Sequence, residues 1–472
     1  MTALILAAAL ATQSALPFKC EKVFLPPRVL PGNTNMRVLD PIDEAAWIWH
    51  PDSNGDALRS GQPGTNVQPF PVSWSGPVFL RFRRTFEVKE AAPVVRLHVS
   101  ADERFELQCD GVRVARGPDR GDPKHWSYAT YDLTLQPGSH TLEAVVCWLG
   151  PYSPFAQTSW RGGFVLKAEG AYSDALTTGQ AKWEVAELPG AKLTPSTVGQ
   201  FAVGAQYDMT GCGIAWQSGE FKKAIAVRGP VQKGFHYGLS VPGWQLYPSV
   251  MPDQLSELKS PGKMVVVAPS AENKLIFTAE HSANPECAGW QALLAGKQAL
   301  TIPANTTVTA LWDLGDYYCA YPRLTLDGGA GSQIVWSWAE ALFDGEKHKG
   351  NRNVYENKTL PGMDDAFRPD GRKDAVFMPL WWRSGRWCAL RVTTGAEPLI
   401  LKKIEIDESR YPMAMQDSFV CDDPRIPGIR KIALRGLQMC MHETYVDCPY
   451  YEQQMYPGDT RVQMLGQPPD LR

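Results

Sequence analysis

Alternation of apolar and polar positions is the main pattern of the chain between about residues 40 and 411. Residues 77–88 place Val78, Leu80 and Phe82 on one side of an extended segment and arginines on the other. Such period-two alternation predicts a strand with one buried face. Three further segments repeat it: 94–99, 104–107 and 142–149. Gly- and Pro-containing turns separate these segments, so we predict a β-sandwich or jelly-roll domain over residues 40–170.

Two further β regions are predicted downstream. Residues 171–300 contain strand-like segments at 263–267 and 274–279, and we predict a second β-sandwich there. Residues 301–411 are predicted to form a third β domain with a long polar loop at 342–374. Its strand candidates are 307–311, 323–326, 333–338, 388–392 and 401–406. The sequence therefore predicts a mainly β fold of tandem sandwich or jelly-roll domains.

The hydrophobic pattern changes from strand to helix spacing near residue 412. Apolar residues within 424–442 recur at the spacing of an amphipathic helix, and prolines lie in its first turn. A second helix is predicted to begin near Arg461, with Asp459 and Thr460 as its capping residues. We therefore predict that residues 412–472 begin a helical domain.

Composition and charge exclude several classes of function. The chain has 472 residues, enough for about three domains of ~100–200 residues. Its formal net charge is −3, which gives no electrostatic reason to expect a nucleic acid or an anionic membrane as partner. No run of 18 apolar residues predicts a membrane span.

Cysteine and histidine spacing predicts neither a metal site nor a cofactor. The ten cysteines form no CxxC pair, the eight histidines show no HExxH or HxH spacing, and no Gly-rich phosphate loop is present. Cys109 and Cys147 are candidates for a cross-strand disulfide, with buried free thiols as the alternative.

The apolar N-terminus is a candidate for a targeting segment. Residues 3–11 are apolar and small residues follow them, which predicts a signal peptide over residues 1–15. A secreted or periplasmic protein is then expected. The alternative is an apolar N-terminus of a cytoplasmic protein, because no Lys or Arg precedes the apolar segment.

Three carboxylates lie close together between the two predicted helices. Asp447, Glu452 and Asp459 are held on a loop, because Pro449 and Pro457 interrupt a continuous helix. The tyrosines of this segment offer flat faces for sugar rings: Tyr445, Tyr450, Tyr451 and Tyr456. A carboxyl group desolvated among tyrosines can stay protonated as a general acid, while better solvated carboxylates accept hydrogen bonds from sugar hydroxyls. A solvated turn is the alternative interpretation.

The same segment resembles a motif of the bacterial α-L-rhamnosidases, glycoside hydrolase family 78. Its elements are Asp447-Cys448-Pro449, Glu452 five residues after the Asp, and Gly458-Asp459. Residues 377–392 resemble the strand pair before the family's catalytic domain, and residues 76–170 resemble its N-terminal sandwich. The resemblance implies an inverting glycosidase with an (α/α)₆ barrel acting on rhamnose-containing glycans.

The resemblance also implies roles for individual residues. Glu452 matches the general acid, and Asp447 and Asp459 match residues that bind rhamnose hydroxyls or orient the acid; Tyr451 and Tyr456 are candidates for substrate binding. The family's catalytic base lies far downstream, and no residue of 1–472 can be nominated for it. We therefore expect this chain to be an incomplete, inactive fragment with unpaired apolar helix faces.

Two other functions are compatible with the residues. One is a non-catalytic carbohydrate-binding β protein; the other is a different (α/α)₆ glycosidase, acting for instance on arabinose or uronic acid residues. Two further groups of residues are assigned to other roles. Trp381, Trp382 and Trp387 are predicted to be core rather than sugar-stacking residues, and the acidic segments 102–104 and 119–122 are predicted to be solvated loops.

Overall fold

The structure is a computed structural model, and strands make up 45% of it against 13% helix. The mainly β fold predicted from the alternation is confirmed. The possible signal peptide and the last six residues lie outside the described part of the chain. The structure describes residues 17–26, 40–51, 78–89, 93–149, 156–188, 191–194, 206–210, 219–228, 244–345, 348–413 and 421–466.

The strands and helices follow one another in this order. The first ten strands are β1 Lys19–Val23, β2 Trp47–Trp49, β3 Val78–Val88, β4 Val94–Asp102, β5 Arg104–Cys109, β6 Val112–Gly117, β7 Trp126–Thr134, β8 Gly138–Trp148, β9 Gly163–Ala168 and β10 Glu184–Glu187. The next eight are β11 Ala191–Thr194, β12 Gln206–Thr210, β13 Lys222–Lys223, β14 Ile225–Arg228, β15 Leu246–Pro248, β16 Glu257–Lys259, β17 Lys263–Ala268 and β18 Leu300–Ile302. The last six are β19 Thr307–Gly328, β20 Gln333–Ala339, β21 Met363–Arg368, β22 Ala375–Phe377, β23 Arg383–Thr393 and β24 Leu399–Glu408. The helices are α1 Ser173–Leu176, α2 Ala279–Ser282, α3 Cys287–Leu294, α4 Ile426–Met439 and α5 Pro457–Leu465.

Two sheets pack face to face into an N-terminal sandwich. Within the described residues one sheet has the order β1-β7-β4-β9-β2-β14, with β15 added to β7, and the other has the order β13-β10-β3-β8-β5-β6. Their shared core contains Leu80 and Phe82 from β3 and Leu97 and Val99 from β4. These are the apolar positions of the alternating pattern, so the burial of one face explains the predicted strands.

An eleven-stranded sheet forms the centre of the molecule. Its described order is β11-β12-β21-β20-β23-β19-β24-β16, with β17, β18 and β22 added at its sides. Strand β19 has 22 residues where the sequence predicted two short strands. Pairing with β23 shifts register between Asp313 and Tyr318, and Gly315 in this stretch has a φ of +80°. The bulge lets one strand bend through residues that resemble a turn in sequence.

Residues 171–300 are divided between these two sheet systems. Strands β10, β13, β14 and β15 complete the sandwich, while β11, β12, β16, β17 and β18 join the large sheet. This pairing differs from the predicted second sandwich over 171–300. The physical reason is that these strands complete the edges of sheets whose central strands come from other parts of the chain, which their local pattern cannot reveal.

The sandwich and the large sheet share an apolar contact. Phe79 lies on the opposite face of β3 from Leu80, and it joins Cys147 and Leu149 in the core of the large sheet. Helix α3 packs on the same core through Trp290. The two bodies therefore enclose a common interior rather than being joined by a loop alone.

Three local predictions differ from the structure. Residues 274–278 form a loop rather than a strand, and this loop leads into α2, whose N-cap is Thr278 and whose first residue is Ala279. The long loop predicted over 342–374 contains strand β21, which pairs with β20. Helix α5 begins at Pro457, four residues before the predicted start, because proline is well tolerated in a first helical turn.

Two charged segments predicted to be solvated are largely buried. Asp102 and Glu103 are fully buried and Arg104 is 5% exposed. Asp102 accepts hydrogen bonds from Ser159 and Trp244 side chains at 2.6 and 2.9 Å, and burial raises its pKa to about 7. Within 119–122 Asp119 and Arg120 are part-buried and paired, whereas Asp122 is exposed. Hydrogen-bond partners from distant parts of the chain make this burial possible, and the local sequence does not show which residues they are.

The cysteine alternatives are resolved in favour of free thiols. Cys109 and Cys147 are both buried and unbridged. Burial raises the pKa of Cys109 to about 12 and raises that of Cys147 as well. Both thiols therefore stay protonated and act as small apolar core residues.

Candidate functional site

A loop over residues 440–456 joins α4 to α5 and carries Asp447 and Glu452, as the prolines indicated, but Asp459 lies in α5 rather than on the loop. The large sheet holds this loop through two buried hydrogen bonds. The Tyr450 hydroxyl donates to the Trp338 carbonyl oxygen at 2.9 Å, and the Ser384 hydroxyl donates to the Pro449 carbonyl oxygen at 2.6 Å. The loop is thus attached to a rigid element on the side of the motif that precedes Glu452.

Gln453 anchors the loop on its other side. Its side-chain oxygen accepts from the Trp381 indole nitrogen at 2.7 Å, and its amide nitrogen donates to the Pro449 carbonyl oxygen at 2.8 Å. Its own carbonyl oxygen accepts from Arg120 Nη1 at 2.5 Å. Gln453 is 2% exposed, so the residue next to Glu452 is fixed by the sandwich and the large sheet together.

Asp447 closes the motif into a compact turn. Its backbone nitrogen donates to the Gln454 carbonyl oxygen at 2.8 Å, and its side-chain Oδ1 accepts from the Gln454 nitrogen at 3.1 Å. The half-buried carboxylate therefore has one oxygen engaged in shaping the loop. Its predicted role as a sugar ligand or as a residue that orients the acid remains a prediction.

Glu452 is half-buried and has one of the four tyrosines as a hydrogen-bond partner. The Tyr456 hydroxyl donates to Glu452 Oε2, and this bond raises the pKa of Tyr456 to about 12. Tyr450 is 2% exposed within the protein, and its ring contacts that of Tyr451 edge-on at 4.7 Å. Burial raises the pKa of the part-buried Tyr445. Of the four tyrosines, Tyr456 is the one that hydrogen-bonds to Glu452.

Asp459 lies in the first turn of α5 and is exposed. No hydrogen bond joins it to another residue that the structure describes. A carboxylate in a first helical turn interacts favourably with the helix dipole. Asp459 is therefore placed on the solvent side of the loop, with its charge open to a ligand.

Lys349, which sequence spacing did not indicate, adjoins Tyr451, and Glu340 links Lys349 to Tyr317. Glu340, at the end of β20, accepts from the Tyr317 hydroxyl at 3.0 Å and pairs with Lys349 at 3.1 Å. The Lys349 ammonium lies 5.6 Å from the centre of the Tyr451 ring. Burial lowers the pKa of Lys349, but the Glu340 carboxylate raises it overall. No local motif could find them, because the large sheet brings them to the loop from distant positions.

His442 and Glu443 mark the buried end of the loop. The His442 ring stacks on Trp382 at 4.0 Å with an interplanar angle of 3°, and burial lowers its pKa to about 4. Glu443 pairs with Arg120. Although burial raises the pKa of Glu443, Arg120 lowers it overall, so the pair is ionised.

The three tryptophans predicted as core residues divide into two groups. Trp382 and Trp387 are 3% and 1% exposed, which confirms the prediction for both. Trp381 is half-buried, and its indole nitrogen holds Gln453. Trp381 therefore contributes to the site as a support of the loop.

One cluster of possible metal ligands occurs within the described residues, away from the loop. Cys109, Asp110 and His140 have ligand atoms within 4.8 Å of one another. Hydrogen bonds engage both ring nitrogens of His140, at 2.6 Å to Asp110 and 2.7 Å to the Gln136 carbonyl oxygen.

In the described ranges no helix combines the length and apolar character that crossing a membrane requires.

Comparison with solved structures finds two rhamnosidases of similar fold. A GH78 family rhamnosidase of Bacillus sp. GL1 matches with a TM-score of 0.61 at 18% identity, over 90% of this chain. An α-L-rhamnosidase from Dictyoglumus thermophilum matches with a TM-score of 0.52 at 16% identity, over 86% of this chain. The chain has the fold of these enzymes. The resemblance inferred from the motif is thus confirmed as a likeness of fold.

The match covers only part of each enzyme's length, and it is a match of structure rather than of sequence. This chain spans 61% of the Bacillus rhamnosidase and 40% of the Dictyoglumus enzyme. No family model matches the sequence, and no curated protein matches it either. Fold similarity at this identity concerns the backbone, whereas the chemistry depends on the side chains of the loop.

Proposed function

We propose that this chain carries the acid half of a glycoside hydrolase site that removes terminal α-L-rhamnosyl residues with inversion, and that Glu452 is its general acid. The observation that carries the proposal is the position of Glu452: a half-buried carboxyl group on a loop fixed on both sides, with Tyr456 donating to one oxygen. A general acid needs such positioning, because proton transfer requires a defined approach to the leaving oxygen.

In the proposed reaction, protonated Glu452 gives its proton to the glycosidic oxygen while the bond from the sugar carbon to that oxygen breaks. A second carboxylate must take a proton from the water that attacks the opposite face of the sugar. Asp459, exposed in the first turn of α5, is proposed to accept hydrogen bonds from sugar hydroxyls. Tyr451 and Tyr456 are proposed to contact the sugar ring, and Asp447 to keep the loop in shape.

The general acid is tested with leaving groups of different basicity. Glu452→Gln is expected to slow hydrolysis of methyl α-L-rhamnoside by about 10²–10⁴-fold, because the poor leaving group needs a proton. Hydrolysis of 2,4-dinitrophenyl α-L-rhamnoside is expected to fall far less, because the phenolate leaves without one. Steady-state rates on both substrates are measured with a version extended to full barrel length, which supplies the second carboxylate, and they give the two ratios.

Glu356→Gln is the control, because Glu356 is likewise a loop glutamate but is exposed and lies outside the motif. Equal losses on both substrates, or no loss on either, would contradict the assignment of Glu452. The second candidate function, carbohydrate binding without catalysis, predicts that the extended version binds L-rhamnose in calorimetry but hydrolyses neither rhamnoside.

A further inference from the structure

A cavity lies between the sandwich, the large sheet and the loop, and the space among its lining residues, open solvent included, is about 600 Å³. Its walls come from the start of β5, from the end of β6 and the two residues after it, from the segment before β23 and from the loop residue Glu443. The residues that decide its chemistry are Arg104, Glu106, Arg116, Asp119, Gln254 and Trp381.

Arg104 is a buried cation without an ionic partner. Its Nε donates to the Gln157 side-chain oxygen at 3.2 Å, and its guanidinium lies 3.6 Å from the centre of the Trp381 ring. Its Nη1 is buried and has no hydrogen-bond partner, and no described residue forms an ion pair with it. Arg104 is 5% exposed, so its charge is poorly solvated and favours an anion in the cavity.

The acids around the cavity are already engaged. Glu106 pairs with Arg116 at 2.8 Å, and although burial raises its pKa, the neighbouring arginines lower it overall. Asp119 accepts from Ser249 and from Ser127, and Glu443 pairs with Arg120. Arg104 is therefore the cation at this wall whose charge the described residues leave uncompensated.

Gln254 adds neutral hydrogen-bonding capacity. Both its amide nitrogen and its side-chain oxygen are buried without a partner among the described residues. One atom donates and the other accepts, which matches a hydroxyl group. Unpaired buried polar groups are costly, so a site that leaves several of them is suited to a polar ligand or to water.

We propose that this cavity binds a small hydroxylated carboxylic acid of the uronic acid class. The carboxylate pairs with the guanidinium of Arg104, and the hydroxyl groups bond to Gln254 and its neighbours. A planar guanidinium accommodates a carboxylate through two parallel hydrogen bonds, which gives both strength and orientation. The inference concerns a site separate from Glu452 and does not depend on rhamnoside hydrolysis.

The test is calorimetric titration of the full chain with D-galacturonate, with D-galactose and inorganic phosphate as comparison ligands. Saturable binding of galacturonate is expected below about 10 mM, where a site with a Kd of 1 mM approaches saturation. Galactose lacks the carboxylate and is expected to bind at least about tenfold more weakly than galacturonate. Arg104→Gln should weaken galacturonate binding by a similar factor, and Arg104→Lys should restore part of it.

Arg323→Gln is the matched control, because Arg323 is an exposed arginine of the large sheet outside the cavity. Absence of saturable galacturonate binding to the wild-type protein would overturn the proposal and leave a water-filled cavity. Equal affinity for galactose would overturn the carboxylate contact. Equal affinity for phosphate would replace the sugar acid by a general anion site. Gln254→Leu, a change at another lining residue, is expected to weaken galacturonate binding as well and replaces Arg104→Gln if that variant fails to fold.

Discussion

Gln453 turns the backbone between the proposed acid and the rest of the loop. Its φ of +53° lies in the left-handed region, which costs an L residue ~1–2 kcal/mol. The side chain offsets this cost through its bonds to Trp381 and Pro449. The position is therefore a strained backbone held by a satisfied side chain, next to Glu452, as functional sites often show.

Substitution of Gln453 separates the cost of the strained backbone from the contribution of the side-chain hydrogen bonds. Gln453→Ala and Gln453→Gly lose the same side-chain bonds, but glycine adopts positive φ without strain. We expect both variants to be destabilised, with the alanine variant less stable than the glycine variant by about 1 kcal/mol. Hydrogen exchange of the amides in 446–456 measures the local opening. Equal protection in the two variants would show that backbone strain is absent.

At the scale of elements, α4 and α5 present apolar side chains to solvent. Ile429 and Ile432 on α4 are 56% and 76% exposed, and Val462 and Leu465 on α5 are 69% and 77% exposed. The other side of α4 is held by Arg435, which bonds to Glu408 at 2.8 Å, and by the buried Met439. The predicted exposure of apolar helix faces is thus observed, and exposed apolar patches favour association.

These exposed apolar side chains predict that the protein self-associates. A single lysine introduced among them is expected to reduce the association. Ile432→Lys is expected to lower the fraction of oligomer in sedimentation velocity while changing the free energy of unfolding by less than about 0.5 kcal/mol, since the side chain is mostly exposed. Ile276→Lys is the control, because Ile276 is 55% exposed on a separate loop. A monomeric wild-type protein would contradict the prediction.

At the scale of the whole molecule, one buried seam joins sandwich, large sheet and loop. Arg120 of the sandwich pairs with Glu443 and bonds to Gln453, while Trp382 of the sheet segment stacks on His442. Neither ring nitrogen of His442 has a hydrogen-bond partner among the described residues. Protonation of His442 would therefore place a charge in the seam without solvation.

The seam makes stability depend on pH in a defined direction. His442 has a pKa of about 4 in the folded protein and 6.5 in the unfolded chain, so its neutral form stabilises the fold above pH 6.5 and this stability is lost as pH falls towards 4. From these values the loss at pH 5 is about 2 kcal/mol. Urea unfolding at pH 5 and 7 measures it.

His442→Phe keeps an aromatic ring against Trp382 and removes the titrating group. We expect the variant to lose about 2 kcal/mol less than the wild type between pH 7 and 5. An identical pH dependence of the two proteins would assign the effect to other groups of the seam.

Much of the secondary structure was predictable because it depends on local burial. The strand at 78–88 and the helix at 424–442 were both located within a few residues, since alternation and helical spacing record which face is buried. Strand β19 was divided in two, because a bulge and Gly315 resemble a turn locally. The order of strands in the large sheet depends on contacts between distant segments, which no local pattern contains.

By itself the sequence determined the mainly β composition, the change to helices after residue 412 and the loop that holds Asp447 and Glu452, whereas Asp459, predicted on the same loop, lies in the first turn of α5. These depend on short-range chemistry: which side chains are apolar and where prolines interrupt helices. Only the tertiary structure decided that Tyr456, of the four loop tyrosines, bonds to Glu452, that Lys349 adjoins Tyr451 and pairs with Glu340, and that Arg104 lies in a cavity with no ion-pair partner among the described residues. Burial and electrostatic pairing depend on neighbours in space, and the fold brings those neighbours from distant parts of the chain.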